Sequence, residues 1–582
     1  MTATVETQWI SDAIAIALRD TLELEFVALN PGASFRGLHD SLVNVGGPTM
    51  LVCLHEEHAV AIAHGYAKVT ERPMAVILHS NVGLMHGSMA VYNAWCDRVP
   101  MVILGGTGPM DANKRRPWID WIHTTTDQAA IVRAYTKWDD QPSSLPAALD
   151  ALVRANNIAR TEPCGPTYVC LDANLQEARI ETPPHPRHLR VHVGSQRAVP
   201  QASEVARVVE ALKHARHPVI VVGRVSRSER SWNERIQLVE SNGAMVVTDL
   251  KTPSSFPTMH PAHVGVPGYF LDEAAKAALR NADVIVSLDA IDLAGVLKQA
   301  FGNDDPGALI VSITLDRYAA RGWTMDMGGV ARVDIDIAAH PDAVVPLLLA
   351  EFSDAEPIVS RSNGATSLPE RTRPESGPVT MASLGRAIHE ALGERQFTLT
   401  RVPLGWVGDL IPFVDPFSYL GYDGGGGVGS GPGMAVGSAL ALKDAGRLPV
   451  AILGDGDFLM GCTALWTAVA HEIPLLVVVA NNQSYYNDVV HQERVARDRN
   501  RPLENKWQGQ QITAPTVDIV GMARAQGAVA FGQVSDAADL PRTLAEAIEK
   551  TQQGAVCIVD VLVAAEYGAS LTKVLSQESV AP

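Results

Sequence analysis

Residues 449–488 read PVAILGDGDFLMGCTALWTAVAHEIPLLVVVANNQSYYND, and two short apolar runs decide the fold. Leu448–Leu453 stops at Gly454-Asp455-Gly456, and Leu475–Ala480 stops at Asn481-Asn482. Branched apolar runs of this length, bounded by turn residues, are buried strands. The stretch between them has room for one helix, so the strands are parallel neighbours in a strand–helix–strand unit. Their carboxyl ends then share one sheet edge, where open α/β sheets bind ligands. Asp455 brings an anionic oxygen to that edge and Asn482 a neutral amide oxygen. With the Ser484 carbonyl as a third donor, the set suits Mg²⁺, which prefers six hard oxygen ligands. Gly454 and Gly456 permit a tight turn and close approach of backbone N–H groups to a phosphate.

Outward from this unit the same alternation recurs. Strand candidates in the first third are Phe26–Leu29, Met50–Leu54, Met74–Leu78, Pro100–Leu104 and Tyr168–Asp172, with helices over His58–Thr70 and Gly87–Cys96. A second series comprises His217–Val222, Ala244–Thr248, Asp283–Leu288 and Ala308–Ile313. A third adds Gln396–Arg401 and Ala555–Val561, the last preceded by the helix Leu540–Lys550. The expected architecture is three doubly wound, parallel-sheet α/β domains over 1–185, 195–350 and 379–582. The polar, Ser/Pro/Arg-rich stretch 351–378 reads as a linker.

Composition narrows the function. The net charge of −17 comes without a Lys/Arg-rich block, which disfavours nucleic acid as a partner. No run reaches the roughly 20 apolar residues of a membrane-spanning helix. The first twenty residues lack the features of an export signal, and the six cysteines show no metal-type pairing, so a cytoplasmic enzyme with reduced thiols is expected.

Two further motifs complete the picture. YDGGGGVGSGPGMAVGSALAL (422–442) is a glycine-rich loop leading into a helix, and CLHEEHAVAIAHGYAK (53–68) places Glu56 between an apolar strand and an apolar helix. Partial burial there favours a protonated carboxyl ready for proton exchange. Together with Gly-Asp-Gly and Asn-Asn at this spacing, these motifs resemble the thiamine-diphosphate-dependent decarboxylase and acetolactate-synthase-like family. The resemblance implies pyrimidine-binding, central and diphosphate-binding domains in that order. It implies that Glu56 bonds the aminopyrimidine and promotes formation of a C2 ylide. Gly427, Val428 and Gly429 would cradle the bent cofactor, and Gly454, Asp455, Gly456, Asp457, Asn482, Ser484 and Tyr485 would hold its diphosphate end. Asp455, Asn482 and Ser484 would bind Mg²⁺. The site is expected between two chains, in a homodimer or a tetramer.

The first domain resembles decarboxylases of the benzoylformate type. ALNPGASF (28–35) is similar to their Asn-Pro-Gly-Ser loop, with Ala33 in the serine's place and Ser34 beside it. LHSNVGLMHG (78–87) places His79 on a catalytic histidine. SSFPTMHPAHVG (254–265) offers His260 as a second, with His263 nearby; WIHTTTDQ (121–128) is similar to the adjacent histidine pair followed by threonine in pyruvate decarboxylases, with Ile122 in place of the first and His123 matching the second as a catalytic, pocket-lining candidate. Tyr485, Tyr486 and Asn487 open a strip that could cover the substrate. The resemblance implies non-oxidative decarboxylation of a 2-oxoacid, aromatic ones included, through ylide and enamine intermediates. The alternatives are an acetolactate-synthase-like carboligase, in which FAD often packs against the central domain, and a 2-hydroxyacyl-CoA lyase. No local motif establishes FAD. A catalytically silent binding subunit is disfavoured because Glu56, Asp455 and Asn482 are all present. A dehydrogenase is disfavoured because Gly421–Gly431 lacks the acidic ribose-binding position.

Overall fold

The structure, a computed structural model, describes residues 7–181, 199–316, 329–352 and 376–567. Three parallel sheets follow one another along the chain. The first contains β1 (Phe26–Leu29), β2 (Thr49–Val52), β3 (Ala75–Leu78), β4 (Met101–Thr107), β5 (Asp139–Asp140) and β6 (Pro166–Asp172), in the order β2-β1-β3-β4-β6-β5. The second contains β7 (Pro218–Val222), β8 (Met245–Val247), β9 (Val284–Leu288), β10 (Leu309–Ile313) and β11 (Ile335–Ile337), in the order β11-β10-β9-β7-β8. The third contains β12 (Phe397–Arg401), β13 (Leu448–Gly454), β14 (Leu475–Asn481), β15 (Val529–Val534) and β16 (Val556–Leu562), in the order β12-β13-β14-β16-β15.

Burial explains why β14 reads as continuously apolar. Leu475, Val477 and Val479 enter one core, while Leu476, Val478 and Ala480 enter another on the opposite face. Each face is covered, as an all-parallel sheet requires. The first of these cores is shared: Ala61 and Val60 of the first domain lie in it with Met434 and Val477 of the third.

Three local expectations change. The helix expected from Gly87 starts at Ser80, one residue after β3, so residues 80–86 form its first two turns. The helix expected from His58 starts at Glu56, with His55 as its cap. Short strands β5, β11 and β15 were not legible as runs. The boundaries placed at 185 and 195, and most of the linker 351–378, lie outside the described residues.

Candidate active site

The first and third domains meet along two helices, Glu56–Thr70 and Gly431–Leu442, which make backbone-to-backbone contact. Glycines make the approach possible. A Cβ at Gly437 would overlap the Ile62 carbonyl, one at Gly65 would overlap that of Met434, and one at Gly433 would lie 2.7 Å from Ala61 Cβ. Hydrogen bonds extend the seam: Thr467 Oγ1 donates to Val52 O at 2.8 Å, and His58 Nε2 lies 2.7 Å from Thr463 Oγ1. Within the chain the first and third domains are thus packed directly against each other.

Glu56 is the first residue of its helix and is largely buried. Its Oε2 lies 3.1 Å from His86 Nδ1, and the His86 ring stacks on His55 at 4.9 Å. Gly83, one turn before His86, leaves room for the Glu56 side chain, since a Cβ there would press on Glu56 Cγ. His86 escaped sequence analysis because the helix expected there was begun only at Gly87. Glu57, the neighbouring carboxylate, points into the domain seam. It accepts a hydrogen bond from Ser430 Oγ at 3.0 Å, and burial pushes its carboxyl above the ordinary range.

The glycine-rich loop is fastened from both sides. Asn93, fully buried on the first domain, accepts from Gly427 N at 3.3 Å and donates to Ser430 Oγ at 3.0 Å. From the other side Asp457 Oδ1 accepts from Gly429 N at 2.7 Å and Gly431 N at 3.2 Å. Asp457 Oδ2 takes the Arg401 guanidinium at 3.1 Å, and Arg401 also pairs with buried Asp423 at 2.8 Å. Both oxygens of Asp457 are therefore engaged by protein groups, and it clamps the loop. Val428, between the two fastenings, is 41% exposed. It has room to touch a ligand.

Asp455 and Asn482 come together at the ends of neighbouring β13 and β14. Ser484 N donates to Asp455 Oδ2 at 3.1 Å and to Asn482 Oδ1 at 3.0 Å, so one N–H gathers both oxygens. Burial raises the Asp455 carboxyl to about 6. A buried carboxylate beside an amide oxygen is a set that a hard cation would complete. The donor chemistry fits Mg²⁺. A Cβ at Gly454 would meet nothing within 4 Å, while the Tyr485 ring lies against Gly456. Open space therefore remains where a diphosphate would lie against the backbone.

After Tyr485 the chain makes an excursion that returns to the metal edge. The helix Tyr486–Asp498 is followed by the turn Leu503–Trp507, joined to it by the Lys506–Glu493 ion pair. The return is tied by Tyr485 N to Gln510 O at 2.9 Å and by Ile512 N to Gln483 O at 2.7 Å.

His79 follows β3, and the neighbouring Gly32 is forced because any Cβ there would overlap the imidazole. Ser34 N donates to His79 Nδ1 at 3.3 Å, and Ser34 Oγ lies 3.0 Å from the same nitrogen. Ser34, which the motif comparison left aside in favour of Ala33, is thus the residue facing the histidine. His123 packs edge-on against His79 at 4.8 Å. Burial, then His123, lowers the basicity of His79. His260 does not join this group. Its Nε2 lies 3.3 Å from Glu240, its Nδ1 accepts from Ala262 N at 3.1 Å, and its ring packs on Phe256, all in the central domain. Its similarity is confined to a loop whose packing is set by central-domain neighbours. His263 is buried against Thr248 at 2.9 Å and pushed down to about 4 by desolvation.

Comparison with known families fits this geometry. Residues 8–131 match the N-terminal TPP binding domain of thiamine pyrophosphate enzymes, and residues 403–561 match the C-terminal TPP binding domain. Glu56 lies in the first match, Asp455 and Asn482 in the second. The chain is a thiamine-diphosphate-dependent enzyme of the acetolactate synthase and decarboxylase superfamily. The central domain of the same thiamine pyrophosphate family matches residues 205–318. Relatives of this thiamine-diphosphate enzyme include a benzoylformate decarboxylase of Pseudomonas aeruginosa, 27% identical over 74% of this chain and 78% of the relative. A second is the acetolactate synthase isozyme 3 large subunit of Escherichia coli, 23% identical over 92% of this chain and 91% of the relative. The crystal structure of benzoylformate decarboxylase from Polynucleobacter necessarius shares the fold, with a TM-score of 0.77 at 20% identity over 96% of this chain and 99% of that one. The thiamine-diphosphate enzyme thus has decarboxylase- or carboligase-type activity.

Proposed function

We propose that the enzyme is a non-oxidative decarboxylase of a 2-oxoacid, aromatic substrates included. The observation that carries this reading is the Ser34–His79–His123 group in the domain that supplies Glu56. Asp455, Asn482 and Ser484 would hold Mg²⁺ and through it the diphosphate, with Val428 supporting the bend of the cofactor. When bound, thiamine diphosphate would supply a nucleophilic carbon for the substrate carbonyl and a sink for the electron pair released with CO₂. Glu56 holds and exchanges the proton that cofactor activation needs, with His86 against its Oε2. His79 has its tautomer set: Nδ1 accepts from Ser34 N–H, so the neutral ring carries its proton on Nε2. Once Nδ1 has also taken up a proton, the imidazolium can pass the Nε2 proton to the carbon that loses CO₂ and return to the neutral ring.

Ligation of two carbonyl compounds is the second reading, supported by the longer alignment with the acetolactate synthase subunit. Apolar surface near the site, including Met85, Val428 and Met460, supports self-association into a dimer or a pair of dimers. Six cysteines, none in a disulfide, support a cytoplasmic setting. Among the described residues no helix is long and apolar enough to cross a membrane.

The test is a product profile with thiamine diphosphate and Mg²⁺ on aliphatic and aromatic 2-oxoacids. CO₂ and an aldehyde in equal amounts are expected, with aromatic 2-oxoacids among the substrates. Coupled product in place of aldehyde would establish the carboligase reading. Cleavage of a 2-hydroxyacyl thioester with no turnover of any 2-oxoacid would refute both.

A further inference from the structure

The tautomer of His79 is set by Ser34, so whatever holds Ser34 in place governs the histidine. Ser34 sits in the short 3₁₀ turn Ala33–Phe35. The backbone bond that closes this turn, from Phe35 N to Gly32 O, is 3.4 Å long and therefore weak. Two groups of Ser34 nevertheless converge on the imidazole, the backbone N–H at 3.3 Å and the hydroxyl at 3.0 Å from Nδ1. The hydroxyl oxygen also accepts from Ser80 N at 3.1 Å. Ser80 is fully buried with a φ of 46°, a left-handed conformation that is unfavourable for a residue with a Cβ and persists only where the surroundings enforce it.

The anchor lies 142 residues further along the chain. Gln176 ends the short helix Ala173–Gln176 that follows β6, and it is completely buried. Its Nε2 donates to Ser34 O at 3.0 Å and to Leu171 O at 3.1 Å, while its Oε1 accepts from Leu38 N at 3.3 Å. One carboxamide thus joins the end of β6, the Ser34 turn and the helix Arg36–Ser41. Both of its amide protons are engaged, as burial of a polar side chain requires. Packing confines the two residues further. A Cβ at Gly37 would lie 3.1 Å from Gln176 Cβ, and one at Gly106 of β4 would lie 2.4 Å from Ser34 Oγ. Ser34 is therefore pressed between the β4 backbone and Gln176. Gly106 is held in turn, its carbonyl accepting from buried Gln128 at 3.1 Å.

We propose that Gln176 is a positioning residue for proton transfer by His79, acting through Ser34, a role that rests on the decarboxylase reading above. Its hydrogen bonds go to Ser34, Leu171 and Leu38 and none goes to the histidine. With its carbonyl held by Gln176 and its hydroxyl by Ser80, Ser34 keeps its N–H aimed at Nδ1. The neutral ring then carries its proton on Nε2, the nitrogen left for the substrate side. Without the carboxamide the buried Ser34 carbonyl loses this donor, and the turn is free to rotate toward another. Rotation withdraws the N–H from Nδ1, and the ring relaxes to a mixture of tautomers.

The test joins nitrogen NMR of the full-length apoenzyme, carrying isotope-labelled histidine, to kinetics of the holoenzyme. The His79 ring is assigned by its loss in His79→Gln. At a pH where the ring is neutral, the parent is expected to show Nδ1 bare and Nε2 protonated. Gln176→Glu keeps the shape and the acceptor for Leu38 N but removes both amide donors, and is expected to show mixed tautomers. Its kcat should fall at least about tenfold while KM stays within about twofold, because proton donation is impaired and substrate binding is not. The limb of the kcat–pH profile that belongs to His79 should move upward, since an N–H aimed at Nδ1 disfavours a proton there. Should this variant fail to fold, Gln176→Met, which lacks the donors and the acceptor, decides in its place. A parent ring protonated on Nδ1 overturns the proposal without any variant. The parent's tautomer in the folded variants overturns it too, as does a lowered thermal midpoint with kcat and pH profile unchanged, the mark of a purely structural glutamine. If no 2-oxoacid is turned over, the decarboxylase reading fails and the tautomer measurement alone decides whether Gln176 acts on His79.

Discussion

Asp455→Ala is expected to abolish Mg²⁺-dependent retention of thiamine diphosphate. Loss of an outer-shell partner alone typically weakens a metal site by roughly 10–100-fold, and removal of the anionic member of the pair should exceed that range. The reasoning is local. Asp455 Oδ2 and Asn482 Oδ1 are gathered by the same Ser484 N–H, and Asn482 alone brings only a neutral oxygen. Equilibrium binding of the cofactor to apoenzyme across a Mg²⁺ series reads the effect directly. Affinity within a factor of two of the parent, with unchanged Mg²⁺ dependence, would show that the metal is held elsewhere.

Gly437→Ala carries the second large effect, on stability. The added Cβ would overlap the Ile62 backbone carbonyl, and neither helix can yield without opening the seam between the first and third domains. Overpacking costs about 1–3 kcal/mol where side chains can shift, and backbone against backbone belongs at the top of that range or above it. Hydrogen exchange should rise in Glu56–Thr70 and Gly431–Leu442 together, with a lowered thermal midpoint. Gly454→Ala is the internal comparison, because a Cβ there meets nothing within 4 Å. It should leave the apoenzyme as stable as the parent. An unchanged midpoint and unchanged exchange in Gly437→Ala would mean that the two helices are not in contact.

The metal edge was legible because it depends on chain connectivity. Two apolar runs joined by one helix can hardly avoid becoming parallel neighbours, and Asp455 and Asn482 are simply the residues where those runs stop. Glu56 was legible for the same reason, being the residue at which strand β2 gives way to a helix. What could not be read was set by distant packing. Ser80–His86 lies ahead of the stretch that suggested the helix, and Gly83 and Gly87 fit it against Glu56 and Val60, so His86 stayed hidden. Asn93 and Arg401 look like ordinary polar residues until the glycine loop folds onto them. His260 shows the opposite error: a local likeness suggested chemistry, whereas Glu240 and Phe256, brought near only by the central fold, determine its place. Ser34 lies between these cases, since the loop motif was recognised but the side chain turned toward His79 was the neighbour of the one chosen.

The central claim is that Glu56 activates thiamine diphosphate in a site built from the first and third domains. The most direct measurement is proton–deuterium exchange at C2 of the enzyme-bound cofactor, in the parent and in Glu56→Gln. A loss of roughly 10²–10⁴-fold in the variant is expected, the range for removing a positioned proton-transfer group, with the cofactor still bound. Exchange at the parent rate in Glu56→Gln with full cofactor occupancy would contradict the account.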